Sequence, residues 1–428
     1  MSKALGMRCV WGLCGVLASA LLFASATQAE VSTDLSGTVL VFPKVVWTGF
    51  DTGNSRDTVI QISNTSNQLV HAHCFYVNAQ RTPQGTALWQ VTDFSLWLTR
   101  QQPTHWVASQ GRFVNPFDSC FGHIYGDEEA TGGYLSPADL CDGAGLDPGA
   151  IPPVPPGFAG ELKCIQVDAS GVPFGGNNLK GEAVIRRADG DVSKYNAIAL
   201  LATDLVSDDN VLRLDNPLRN DEEGEVNSCP NSLLLDHFVD GAPDPVVSSL
   251  NDEACGDGIC PIRTDLTLVP CTEDFENLIP SRVTVQFAIT NEFEEPFSTS
   301  TTVDCWLSTR LADIASPTGA CTGSGGTGSG AGAPCVTDDQ CFDLDAGFCE
   351  KSGVFSFGTL GTATAFTTIT PVADDGGVLG VAEEIHYNSA GVGAWASWNL
   401  QQEGTRFDAT LDEFGEPTVD TITIPQQF

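Results

Sequence analysis

Short runs in which apolar and polar residues alternate one for one recur along this 428-residue chain between clusters of Gly, Pro, Asn and Asp, and helical periodicity is almost absent. A side-chain period of two belongs to a pleated strand with one buried face. The clearest run is Val283 to Ile289, where Val283, Val285, Phe287 and Ile289 face one way and Thr284, Gln286 and Ala288 the other. Many such strands separated by turn residues predict an all-β protein built from antiparallel sheets.

The order of these strands repeats. Thr38 to Pro43 matches Leu266 to Pro270, Thr58 to Asn64 matches Val285 to Asn291, and Ala72 to Tyr76 matches Val303 to Leu307. Phe94 to Thr99 then matches Ala365 to Thr370, and Gly181 to Ile185 matches Gly377 to Ala382. Five matches in one order predict a duplication, read here as two tandem Ig-like antiparallel β-sandwiches with Cys-rich loop insertions, and place Cys74 and Cys305 at equivalent strand positions. The first sandwich is expected over residues 30–220 with a Cys/Pro/Gly-rich insertion at 113–180. An acidic, Cys-containing connector follows at 221–263, and the second sandwich at 264–428 carries a Gly/Ser and Cys-rich insertion at 312–352. The last strand is expected within Asp420 to Phe428, with Ile422 and Ile424 turned inward.

The N-terminus has two basic residues, Lys3 and Arg8, then an apolar stretch from Val10 to Ala26 and the small-polar-small triplet Thr27-Gln28-Ala29. That is the pattern of a secretory leader cleaved after Ala29, leaving residues 1–29 outside the mature fold. No later stretch is long and apolar enough for a membrane helix. Cleavage removes no acidic residue, so 55 acidic side chains face 17 basic ones and the net charge moves from −36 to −38. So acidic a chain repels nucleic acid and anionic membrane, and an extracellular protein or glycan is the expected partner. The mature chain keeps 13 cysteines in three groups: Cys74, Cys120, Cys141 and Cys164; Cys229, Cys255, Cys260 and Cys271; and the five from Cys305 to Cys349. Export favours disulfides over zinc, formed chiefly within each group.

The stretch Val39 to Val77, with Arg56-Asp-Thr-Val-Ile-Gln-Ile-Ser-Asn-Thr-Ser-Asn67 and His73-Cys-Phe-Tyr76, resembles a family of exported bacterial β-sandwich proteins with no assigned activity. Gly160-Glu-Leu-Lys-Cys164 and Asn291 to Ser300 share the resemblance, which spans most of the mature chain. It implies export and a β-sandwich fold, and it brings no site residues.

Three local patterns are candidate sites. His71-Ala-His73 sets two imidazoles on one strand face, opposite Cys74 and roughly 7 Å apart, which is short of a complete metal ligand set; a solvent-facing pair without metal is expected. Asp51, Asn54 and Asp57 form the best of the acidic loops for calcium, ahead of Asp204 to Asn210 and Asp338 to Asp345, although none has the spacing of a dedicated calcium loop. Trp97 points away from Phe94, Leu96 and Leu98 and is the candidate stacking platform for a sugar ring, unless the 113–180 insertion covers it. No nucleophile elbow, zinc-protease helix or phosphate loop occurs, and no catalytic residue is assigned. The expected role is therefore a secreted or cell-surface structural or interaction protein. The alternatives are a carbohydrate-binding or adhesive module using Trp97, and a hydrolase whose paired carboxylates leave no local pattern.

Overall fold

The computed structural model describes residues 31–49, 55–80, 88–113, 148–203, 207–218, 224–245, 262–314, 319–321, 333–335, 349–350, 353–372, 376–388, 391–407, 410–411 and 418–425. Residues 1–30, Asp51, Asn54, the 114–147 part of the first insertion and the Gly/Ser tract lie outside the described residues.

The alternating run at Val283 forms the strand Arg282–Asn291, buried at Val283, Val285, Phe287 and Ile289 and exposed at Gln286 and Ala288. It pairs antiparallel with Pro296–Asp304 and Thr364–Pro371 in a five-stranded sheet whose outer face meets solvent. The strands Val39–Val46 and Val70–Asn78 behave differently, being buried at every residue. Both lie in a six-stranded sheet, beside Ala159–Val167, which is buried at all but its first residue. A sandwich strand buries one face; a strand buried on both needs a sheet against each side.

The apolar clusters show where those sheets are. One face of the six-stranded sheet, with Leu40, Phe42, Ala72, Cys74 and Leu162, packs on Ile60, Ile62, Ala183 and Ile185 of the four-stranded sheet around Arg56–Asn64. The opposite face, with Val39, Val41, Phe75, Val77 and Ile165, packs on Val269, Phe275, Leu379, Ile422 and Ile424 from the second half of the chain. A third cluster joins Val285, Phe287 and Ile369 to Leu266, Leu268 and Ala382 of the sheet around Ile262–Pro270.

Stacking of small sheets face to face, each interior one covered on both sides, is the blade contact of a propeller. The nearly all-β chain is arranged as a five-bladed β-propeller of small sheets and not as two tandem Ig-like sandwiches. The short ladder of Gly319–Cys321, Pro334–Cys335 and Cys349–Glu350 stands beside the blades with its own cluster of Cys321, Cys335 and Ala333.

The second half departs from a separate sandwich in its connections. The strands Val211–Arg213, Glu273–Asp274 and Thr421–Thr423 make one three-stranded sheet, so the two halves interlock. Ile422 and Ile424 are buried as expected, but they pack at the junction between the halves. The span 221–263, expected as a connector, contains the strand Pro230–Phe238, hydrogen-bonded on both sides within the five-stranded sheet. Nor are Cys74 and Cys305 equivalent. Cys74 sits mid-strand, whereas Cys305 follows Pro296–Asp304 at a corner with φ of 54°. The duplication fails at that corner, because alternation alone does not say which neighbour a strand pairs with.

Candidate functional site

The strand Val70–Asn78 carries the site residues read from sequence, and its register fixes their neighbours. His71 lies opposite Trp97 on Gln90–Leu98, His73 opposite Ser95 and Phe75 opposite Asp93. Cys74 points to the other face and is bonded to Cys164, directly across the ladder. The two histidines thus share the face opposite Cys74, but that face is covered and both are buried.

The His71 ring stacks on Trp97 with centroids 3.9 Å apart and planes 4° from parallel. Its Nδ1–H donates to the carbonyl oxygen of Asp168 at 2.9 Å. Burial, with a smaller contribution from His73, lowers the His71 pKa to about 4, so the ring is neutral near pH 7. His73 Nε2 lies 3.0 Å from Asp93 Oδ2, and its ring is tilted against Phe75. Trp97 is half-buried, and its backbone N–H donates to the carbonyl of Pro148, within the 113–180 insertion. One face of its ring is occupied by the His71 imidazole.

Asp57 is the described member of the calcium loop. Its carboxylate accepts hydrogen bonds from the Ser109 hydroxyl and the Thr58 and Ser109 amides, and burial raises its pKa against those bonds. Among the described residues, no group of three His, Cys, Asp or Glu side chains is placed to hold a metal ion.

A buried ionic cluster lies further along the same sheet face. Glu161 and Lys163, two residues apart on Ala159–Val167, point the same way, and Glu273 from the second half closes on them. Lys163 Nζ lies 2.6 Å from Glu273 Oε2 and 3.3 Å from Glu161 Oε2, and donates to the Pro270 carbonyl at 2.9 Å. Burial pulls the ammonium down, and the two carboxylates more than offset that, so its pKa ends raised. Burial and the charge of Glu161 push Glu273 well above the ordinary glutamate value, against the pull of Lys163. A second buried pair, Lys44 Nζ to Glu383 Oε2 at 2.5 Å, also ties the first half to the second. At the surface of the second half, His386 is held between Asp244 and Glu384, whose hydrogen bonds outweigh burial and raise its pKa.

Sequence reasoning missed these clusters, although one signal was present. Glu161 and Lys163 are charges spaced by two inside an otherwise apolar strand, so they share a face that must either meet water or be paired.

No family model matches the chain, and no curated protein matches it. Among solved structures, a chain from a cryo-EM atomic structure of Broad Bean Stain Virus aligns over 94% of this chain and 99% of its own, at 8% identity and a TM-score of 0.14. A likeness that low carries no argument about fold or function.

Proposed function

We propose that the protein is an exported, non-catalytic interaction protein, with the propeller as a rigid scaffold that binds an extracellular protein or glycan. One observation carries this reading: the described histidine and lysine side chains inside the stacked sheets are committed to holding the fold together. His71 is stacked and neutral, His386 is clamped by two carboxylates, and Lys44 and Lys163 are buried in ion pairs that bridge the halves. A general acid or base must reach a substrate proton, which a group enclosed in this way does not do. The leader-like N-terminus and the disulfides Cys74–Cys164 and Cys229–Cys271, each within one of the expected cysteine groups, support export. Among the described residues no helix is long and apolar enough to cross a membrane.

The test is to assay purified secreted protein against chromogenic esters, peptides and glycosides and against intact polysaccharides, scoring retention and product release separately. Retention without product is expected. Product formation that heat denaturation of the protein abolishes would overturn the proposal.

A further inference from the structure

We propose that Lys163 and Glu273 condense into an intramolecular isopeptide bond, with Glu161 as the proton acceptor, and so join the two halves of the propeller covalently at their buried junction. Both side chains are wholly enclosed. Lys163 lies between its cross-strand neighbours Val41 and Phe75 in the six-stranded sheet. Glu273 belongs to the short strand beside Thr421–Thr423, where its neighbour is Ile422. Val41, Phe75 and Ile422 share one apolar cluster, in which Phe75 stacks on Phe275 with centroids 4.3 Å apart. The amine and the carboxyl group therefore meet in a dry site.

The geometry is that of two reactants already in contact. Lys163 Nζ lies 2.6 Å from Glu273 Oε2, so the carboxyl carbon is one bond beyond the atom it touches. The backbone is pinned on each side: Cys164, next to Lys163, is bonded to Cys74, and Cys271, two residues before Glu273, is bonded to Cys229. Groups fixed in this way react as if at concentrations on the order of 10⁵ M or more.

The other buried pair across the halves shows what a purely structural ion pair looks like here. Besides Lys44, Glu383 has the Ser397 hydroxyl donating to Oε1 at 3.4 Å and Arg56 Nη1 3.8 Å from Oε2. Glu273 lacks such support: among the described residues, no backbone amide or hydroxyl donates to either of its oxygens. A buried carboxylate without donors is costly, and amide formation removes its charge. Lys163 also has a second carboxylate within reach, Glu161, whereas among the described residues Lys44 pairs with Glu383 alone.

That second carboxylate completes the chemistry. Burial and the charge of Glu161 raise the pKa of Glu273, which makes it the carboxyl group that binds a proton first. Glu161 Oε2, 3.3 Å from Lys163 Nζ, accepts a proton from the ammonium, and two opposite buried charges disappear together. The free amine attacks the Glu273 carboxyl carbon and forms the C–N bond. Glu161 then relays a proton from that nitrogen to the departing hydroxyl, and the C–O bond breaks to release water. The products are a neutral amide, one water and a protonated Glu161, so the balance needs no co-reactant. The ion-paired cluster is the state from which the bond closes, and chains in which it is still open keep its titration. Cys74–Cys164 lies within the first half and Cys229–Cys271 joins the 221–263 span to the second, so neither does what this bond would do.

The test is the intact mass of the purified protein after full reduction and alkylation, compared with the mass that its own N-terminal sequence requires, followed by peptide mapping. The wild type should be lighter by one water. A peptide containing Lys163 should be recovered joined to one containing Glu273, with Lys44 and Glu383 in separate, unmodified peptides. Glu161→Gln keeps the shape of the side chain but cannot take up the proton, and it should carry the full mass. Full mass in the wild type, or a water loss that maps to other residues, would overturn the proposal; both are read on the wild type and hold whether or not a variant folds. Undiminished water loss in Glu161→Gln would overturn the role of Glu161 and leave the cross-link standing.

Discussion

The five-stranded sheet and the six-stranded sheet are made of similar antiparallel strands, yet they live in different surroundings. The strand Arg282–Asn291 packs Phe287 and its neighbours inward and leaves Gln286 and Ala288 in water. The strand Val70–Asn78 has no wet face: Ala72 packs toward the Arg56–Asn64 sheet, and Val77 packs toward Ile422 and Phe275. Polar residues are unconstrained on the first strand's outer face. On the second and on Ala159–Val167 beside it they must be neutralised, as His71 is by deprotonation, or paired, as Lys163 is by two glutamates. Sheets covered on both sides convert surface chemistry into structural chemistry, which is why the sequence-level candidates on Val70–Asn78 became part of the fold.

The sharpest way to break this comparison is to place an aspartate on each face of each strand. Phe287→Asp, Ala72→Asp and Val77→Asp should each cost about 4 kcal/mol or more, through a buried, unpaired charge, and prevent accumulation of folded protein. Gln286→Asp should stay within about 0.5 kcal/mol of wild type. Chemical denaturation, or secreted yield where folding fails, reads the difference. If Val77→Asp is tolerated like Gln286→Asp, the six-stranded sheet has an open face and the propeller stacking is wrong.

The same contrast explains what was legible. The run Val283 to Ile289 announced its strand, its inward residues and its terminal Asn because solvent wrote the polar half of the pattern; Asn291 does end the strand, with its side chain donating to the Leu360 carbonyl. Val39 to Val46 and Val70 to Asn78 could be read as strands, but a nearly unbroken apolar run does not say how many sheets cover it. Hence the propeller was not visible and a two-layer sandwich was the natural reading. The shared face of His71 and His73 followed from strand geometry. The sheet face they share is covered by Phe275 and Ile422, about 200 and 350 residues away, and no local pattern encodes that.

A second test is Lys163→Met, which leaves Glu161 and Glu273 enclosed without their cation and should destabilise by about 3–5 kcal/mol. Replacing all three residues by apolar groups should recover most of that loss, because the cluster's desolvation cost disappears with its charges. No recovery in the triple variant would mean that the ion pairs themselves stabilise the junction. Somewhat smaller is the effect of removing the Cys74–Cys164 link as the double Ala variant, expected to cost about 2–4 kcal/mol for a cross-link spanning 90 residues. Equal stability of the variant and the oxidised wild type would show that the ladder and core around it already suffice.

The smallest expected effect separates the two titrating groups of the covered face by sign. Glu273 has a raised pKa, so the folded protein keeps a proton that the unfolded chain releases, and its contribution is lost as pH rises above the ordinary value of 4.5. His71 has a lowered pKa, so the unfolded chain takes up a proton that the fold resists, and its contribution is complete above 6.5 and lost as pH falls toward about 4. Glu273→Gln should therefore flatten the high-pH side of the stability profile. His71→Phe keeps a flat ring against Trp97 and should flatten the low-pH side, removing on the order of 2 kcal/mol of the change between pH 7 and pH 4. Denaturation midpoints of both variants across that range check the assignment. If His71→Phe retains the full acid sensitivity of the wild type, the protonation that loosens the fold lies elsewhere, and the covered face is wetter than its packing shows.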